Sequence, residues 1–245
     1  MISKIDILAV GVHPDDVELS CVGTLIKHIK MGKTVGLLDL TRGELGSRGS
    51  AAIRDQEAAD SAKIMGARWR HNLAMADGFF TYNQQDLLKI IRVIRAAQPS
   101  IVLANSIEDR HPDHGRAAKL VADACFYAGL IKIETLDETG VQQEKWRPQA
   151  VYHYIQDKRL QPDFVVDISD EIDQKLACIQ AFSSQFFAPK ASGYENEPAT
   201  PISGKDFFDY VKAANRVFGR PIGAEFAEGF NVSRTMGVDD LFALR

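Results

Sequence analysis

The sequence predicts an α/β protein of Rossmann-like type: a mostly parallel sheet with helices on both faces and a loop-rich C-terminal cap. Short apolar runs of strand length alternate with segments of helical apolar spacing, the pattern of repeated βαβ units. Glycine and proline punctuate the joins at Gly66, Pro99, Gly129 and Gly219. With 245 residues, 45% of them apolar, the chain supplies one sizeable core, so residues 1–245 read as a single domain.

The elements follow in order. Ile5–Val12 is an apolar strand ending at Gly11-Val12-His13-Pro14, and Val17 to Lys30 has helical spacing. Thr34–Thr41 (TVGLLDLT) is a second strand, followed by the glycine-rich loop Arg42–Ser50 and a helix, Ala51–Met65, closed by Gly66. His71–Met75 is a short strand. Leu87, Ile90, Ile91 and Ile94 form the core stripe of a helix stopped by Pro99, and Ile101–Ala104 is the next strand. Ala117, Leu120, Val121, Ala124 and Ala128 mark a helix closed by Gly129, and the polar stretch Glu134–Arg147 is a loop. Val151–Ile155 and Phe164–Ile168 are the last expected strands. Ser169, with Asp170 and Glu171 behind it, is the expected N-cap of a helix through Phe182. Ala188–Lys205 mixes Pro, Gly, Ser and Asn without periodicity, as lids and binding loops do. A final helix, Asp206–Phe218, ends at Gly219 with Pro221 beyond it. There is no solenoid repeat and no low-complexity tract.

Composition removes several function classes. A formal net charge of −4 with scattered basic residues offers no footprint for nucleic acid or an anionic membrane. The N-terminal apolar run is short and carries Lys4 and Asp6, unlike a signal or membrane-spanning segment, so a cytoplasmic location is expected. Cys21, Cys125 and Cys178 sit far apart in apolar helical patterns and read as buried structural thiols. Without a CxxC pair, any metal here takes nitrogen and oxygen ligands.

Two tetrapeptides echo each other: His13-Pro14-Asp15-Asp16 and His111-Pro112-Asp113-His114, each after a strand. In open parallel sheets ligands bind at the strands' carboxyl ends, where loops from separate βαβ units converge. Proline suits the first turn of a following helix, so each motif is a rigid corner. Catalytic zinc takes three His, Asp or Glu ligands and leaves one position for water. Residues three apart on an incipient helix share a face, so His13 and Asp16 grip one ion while Asp15 turns toward water as a general base. His111 and His114 also share a face, and spacing does not choose between them as the third ligand. Helix capping by aspartate is the bland alternative; it explains one aspartate per corner but neither histidine.

The runs AVGVHPDDVELSCVGTL, LTRGELGSRG with IRDQEA, NLAMADG and EDRHPDH together resemble the LmbE-like (PIG-L-like) zinc de-N-acetylases over Ile5 to about Val121. VYHYIQ, FVVDIS, SSQF and FGRPIGAEFAEGF are similar to the branch that deacetylates N-acetylglucosaminyl malate in bacillithiol synthesis. The resemblance implies that His13, Asp16 and His114 bind zinc, with ferrous iron as the alternative metal. It also implies that Asp15 is the acid/base and that His111 with Asp113 forms a supporting charge relay. Arg54 falls where relatives have a substrate-contacting arginine, and Arg110, within EDRHPDH, joins the expected substrate contacts. Relatives of this branch are often homo-oligomers, which implies one here. One departure stands out: Phe207 occupies the position of a tyrosine that helps the oxyanion, with Tyr194 or Tyr210 as substitutes, or His111 or zinc alone in that task.

The remaining candidates stand singly. The loop with Gly43, Gly46 and Gly49 lacks the spacing of a nucleotide cradle and reads as a pocket wall, from which Arg42, Glu44 and Arg48 reach sugar hydroxyls or an acid group. His28 and His71 read as solvated, and His153, between Tyr152 and Tyr154, as a satisfied structural histidine. A nucleotide-binding oxidoreductase would need the dinucleotide fingerprint that the first corner lacks. A non-catalytic metal- or sugar-binding module would not need Asp15 beside the water. The expected activity is removal of an N-acetyl group from an amino-sugar conjugate or from free N-acetylglucosamine. The excess of arginines near an acidic site points to an anionic aglycone read by Arg54.

Overall fold

The computed structural model describes residues 2–187, 193–194 and 196–243. Among them run β1 (Ile7–Gly11), β2 (Val35–Thr41), β3 (Trp69–Met75), β4 (Ile101–Ala104), β5 (Ala150–Tyr154), β6 (Phe164–Asp167) and β7 (Ala227–Val232). They form one sheet in the order β3-β2-β1-β4-β5-β7-β6. The first five strands are mutually parallel, with Ile7 opposite both Val35 and Ile101. β7 runs antiparallel between β5 and β6.

Alternation along β1 builds the two layers. Ile7 and Ala9 pack with Leu25 and Ile26 of α2 (Val22–Lys30) and Met65 of α3 (Ala51–Met65). Leu8 and Val10 pack on the other face with Ile90 and Ile94 of α4 (Gln84–Ala97) and Leu120 and Val121 of α5 (Pro112–Ala128). β2 and β3 extend from one side of β1, β4 and β5 from the other. The strand order therefore reverses between β1 and β4, and such a reversal opens a crevice at the strands' carboxyl ends. Both histidine motifs follow those two strands.

Four local expectations differ from the structure. The helix expected from Val17 to Lys30 is two, α1 (Asp16–Ser20) and α2, separated at Cys21. The Glu228 carboxylate accepts from the backbone N–H groups of Gly23 (3.0 Å) and Thr24 (2.7 Å), an anion seated where a new helix begins. Phe164–Ile168 is not the last strand of the chain, because β7 follows and inserts between β5 and β6; Glu228, Gly229 and Asn231 had masked its strand pattern. Ser169 does not cap α6 (Ile172–Gln180): its hydroxyl donates to Asp167 (2.7 Å) and accepts from the N–H groups of Glu225 and Phe226, tying β6 to the entry of β7. Gly129 closes α5 at φ −81, outside the left-handed region. A Cβ there would lie 2.4 Å from Arg147 Nε, so close approach requires the glycine.

The cysteines are free and buried. His28 bonds the Thr24 carbonyl (2.7 Å), and His153 is buried with its Nδ1 on the Asn105 carbonyl (2.8 Å). Among the described residues no helix is long and apolar enough to cross a membrane.

Glu228 and Lys175, both fully buried, pair at 2.7 Å. Glu228→Ala strands a buried ammonium and uncaps α2, and breaking such a pair costs about 3–5 kcal/mol. The denaturant midpoint should fall accordingly, with Glu228→Gln falling less; an unchanged midpoint would show the pair to be dispensable.

Candidate active site

At the first corner, Asp16 shapes its own approach. Its Oδ2 accepts from the N–H groups of Val12 (3.0 Å) and His13 (2.9 Å), pulling the chain into a tight turn. Asp15 is thereby held at φ 118, ψ −22. This left-handed backbone costs a non-glycine residue on the order of 1–3 kcal/mol, strain of the kind stored at working sites. Pro14 lies in this turn, ahead of α1, whereas Pro112 occupies the first turn of α5 as its pattern suggested. The same carboxylate accepts from Asn105 Nδ2 (2.9 Å) and Gln156 Nε2 (3.1 Å) and lies 3.2 Å from His114 Nε2.

Hydrogen bonds order the three histidines. His13 Nε2 donates to the Asp77 carboxylate (Oδ1, 3.0 Å), so in the neutral ring the lone pair falls on Nδ1, 3.8 Å from Asp16. His114 Nδ1 donates to Asp109 Oδ2, so in its neutral ring the lone pair falls on Nε2, beside Asp16. His111 is the reverse case. It caps α5, and its Nδ1 accepts from the Asp113 N–H (3.3 Å), so a neutral ring carries its proton on Nε2. The Asp113 carboxylate accepts from Gly78 N–H (2.9 Å), pairs with Arg116 (3.1 Å) and lies 3.8 Å from His13 Nε2. Between His111 and Asp113 the hydrogen bond is the one from the backbone N–H, while the Asp113 charge favours the protonated His111 ring.

The electrostatics favour a cation. Burial lowers the pKa of His13 and His114, yet hydrogen bonds to Asp113 and Asp77 push His13 up to about 10. The Asp16 charge and Asp109 push His114 up to about 9. Burial opposes ionisation of Asp16, but the His114 and His13 contacts hold it far below the usual carboxylate range. Two protons thus occupy a buried acid cluster where a divalent ion would serve the same carboxylates, and metal binding displaces such protons. Ring nitrogens of His13, His111 and His114 lie within 4.8 Å of one another; His13, Asp77 and Asp113 form a second such group. Distance therefore admits His111, whereas its tautomer opposes ligation. The donor set fits a metal with nitrogen and oxygen preferences.

Asp15 stands beside this cluster. Burial pushes its carboxyl up to about 7, against the Arg54 charge. Arg54 is itself buried, with Nη2 3.3 Å from Asp15 Oδ2 and 2.6 Å from Gln185 Oε1. The loop wall accommodates it: Gly43 has φ +63, and a Cβ there would lie 1.9 Å from Arg54 Nη1. His111 is half-buried, with its pKa lowered by burial and by the neighbouring His13 and His114 charges.

These groups open into a cavity of about 410 Å³, within the range of small-molecule sites. α7 (Phe207–Gly219) covers one side with Phe207, Tyr210, Val211, Ala214 and Phe218. Arg110 lines the cavity but pairs with Asp157 (2.7 Å). Arg42 and Tyr194 lie outside the lining. Arg42 is captured by Asp55 of α3 (Nε–Oδ2 3.1 Å), and the Tyr194 carbonyl receives Arg48 (3.4 Å). The part of the loop at 188–192 and 195 is outside the described residues. Sequence reasoning assigned no role to Asp77, Asp109, Asn105, Gln156 or Gln185. Asp77 and Asp109 lie inside NLAMADG and EDRHPDH, and Gln156 and Gln185 end or sit within VYHYIQ and SSQF, which could have drawn notice; Asn105 had no local signal.

Residues 8–125 match the PIG-L family, GlcNAc-PI de-N-acetylase. A diacetylchitobiose deacetylase of Thermococcus kodakarensis is 30% identical over 234 residues, covering 91% of this chain and 81% of the relative. The crystal structure of a conserved protein from Thermus thermophilus has a TM-score of 0.82 at 34% identity, covering 96% of this chain and 98% of that one. A 4-oxalmesaconate hydratase of Pseudomonas putida is 25% identical over 203 residues, 73% of each chain. With this fold, these histidine corners and a relative of that identity over nearly the whole chain, the protein belongs to the PIG-L family and is a deacetylase.

Proposed function

We propose that the protein is a zinc-dependent hydrolase that removes the N-acetyl group from an N-acetylglucosamine conjugate, N-acetylglucosaminyl malate of bacillithiol synthesis being the substrate its C-terminal motifs favour. The supporting observation is the convergent donor set: His13 Nδ1 (3.8 Å) and His114 Nε2 (3.2 Å) face the Asp16 carboxylate, Asp77 and Asp109 engage the other ring nitrogens, and the Asp15 carboxyl stands beside them; the protons the two rings carry would leave as a divalent ion binds. His13, Asp16 and His114 would hold the ion, and Asp77 and Asp109 would orient the two rings. A bound divalent ion supplies Lewis-acid polarisation of the amide and a more acidic water.

The chain's own residues do the rest. Asp15 takes the proton of the attacking water and returns it to the departing amine. Arg54, paired with Asp15, opposes the burial that favours its protonated form and holds the carboxyl in place, which leaves Asp15 able both to take and to return a proton near neutral pH. His111 donates Nε2–H to the oxyanion of the tetrahedral intermediate, the task left open by Phe207, since Tyr210 directs its hydroxyl toward Asp157 (3.4 Å). Acetate and the free amine leave.

The deciding experiment is acetate release by zinc-loaded or ferrous protein from N-acetylglucosamine carrying malyl, inositol or no aglycone, with a hydratase assay alongside. Release from the malyl conjugate is expected. Release from other conjugates alone would move the substrate, and hydration without acetate release would overturn the reaction class.

Arg54 offers a separate check. Because it is engaged with Asp15, Arg54→Ala should lower kcat for anionic and neutral substrates by the same factor, about ten- to a hundredfold for a charged hydrogen bond. A loss confined to the anionic conjugate would return Arg54 to aglycone recognition.

A further inference from the structure

Three arginines line the cavity among the described residues, and they differ in what they have left to offer. Arg54 is committed to Asp15 and Gln185, and Arg110 to Asp157. Arg159 has no acidic partner among the described residues. Its Nη1 donates to the Gln156 carbonyl (3.0 Å), and its guanidinium carbon lies 5.2 Å from the Tyr210 ring centroid and 5.7 Å from that of Phe218. Aromatic faces hold a guanidinium in place without neutralising it. Nε and Nη2, which share one edge of the plane, remain without a bond among the described residues, and that edge matches a carboxylate in two parallel hydrogen bonds.

Its position suits a substituent of the substrate. Gln156 bonds Asp16 through its side chain and Arg159 through its carbonyl, so a single residue links the guanidinium to the histidine corner. Asp15, Asp16, Asp77 and Asp109 also line the cavity and repel anions, so an acidic group on the substrate is drawn to the guanidinium and away from them. The α7 side chains Tyr210, Val211 and Ala214 line the same cavity and give the sugar an apolar wall.

We propose that Arg159 is the specificity residue for an anionic aglycone, binding a carboxylate on the group joined to the amino sugar while that sugar's amide sits at Asp15. This rests on the deacetylase reading above and assigns to Arg159 the recognition that the sequence had placed on Arg54.

Calorimetry with the full chain separates the two. The probes are glucosaminyl malate, which is anionic and already deacetylated, and neutral methyl glucosaminide, compared in wild type, Arg159→Gln and Arg159→Lys. The wild type should prefer the malyl ligand. The ratio of the two affinities should fall about ten- to a hundredfold in Arg159→Gln, the worth of a charge-assisted pair, and recover in part with lysine. No preference in the wild type, or a ratio unchanged by Arg159→Gln, overturns the assignment. Acetate release from the acetylated counterparts is measured in parallel. Binding that depends on Arg159 without acetate release would uphold the subsite and sink the deacetylase reading, so the two fail separately.

Discussion

Asp15→Asn should keep its metal and lose roughly 10²–10⁴-fold in kcat, the usual worth of a general acid/base. Asparagine preserves the shape and tolerates left-handed backbone, so the strained turn at φ 118 survives and the loss reports on proton transfer. Elemental analysis and acetate release on the same preparation check both halves. Activity within a few-fold of wild type would remove Asp15 from the mechanism, and loss of metal would recast it as a ligand.

Purified protein should hold about one zinc-like ion per chain, as a three-ligand site with one open position does. Alanine at His13, Asp16 or His114 should empty the site and abolish turnover. His111→Ala should retain the ion, because its Nδ1 is taken by the Asp113 N–H and its Nε2 bears the proton. The opposite outcome for the two histidines would put His111 in the coordination sphere, as the mutual proximity of the three rings allows.

Much of the fold was legible because burial leaves a local record. The bounds of α3 and β4 coincide with their sequence patterns, α3 because Ser50 caps its start and Gly66 turns left-handed at its end, β4 because it buries one short apolar run. β7 was not legible. Its Glu228 is tolerable inside only because Lys175 and the first turn of α2, distant in sequence, meet it there. The break at Cys21 has the same origin.

The candidate site divides similarly. The sequence by itself determined the α/β class, the two histidine corners at strand ends, and a nitrogen and oxygen donor set, because these are properties of residue type and short spacing. Only the tertiary structure decided that the corners face one crevice, since that depends on β1 and β4 being neighbours where the strand order reverses. It also decided which ring nitrogens Asp77, Asp109 and one backbone N–H engage, and the separate duties of the arginines. A guanidinium reads alike in sequence whether it is free or paired. Arg54 is occupied because α3 brings it against Asp15, and Arg159 keeps an open edge because, among the described residues, aromatic rings and a carbonyl are what hold it.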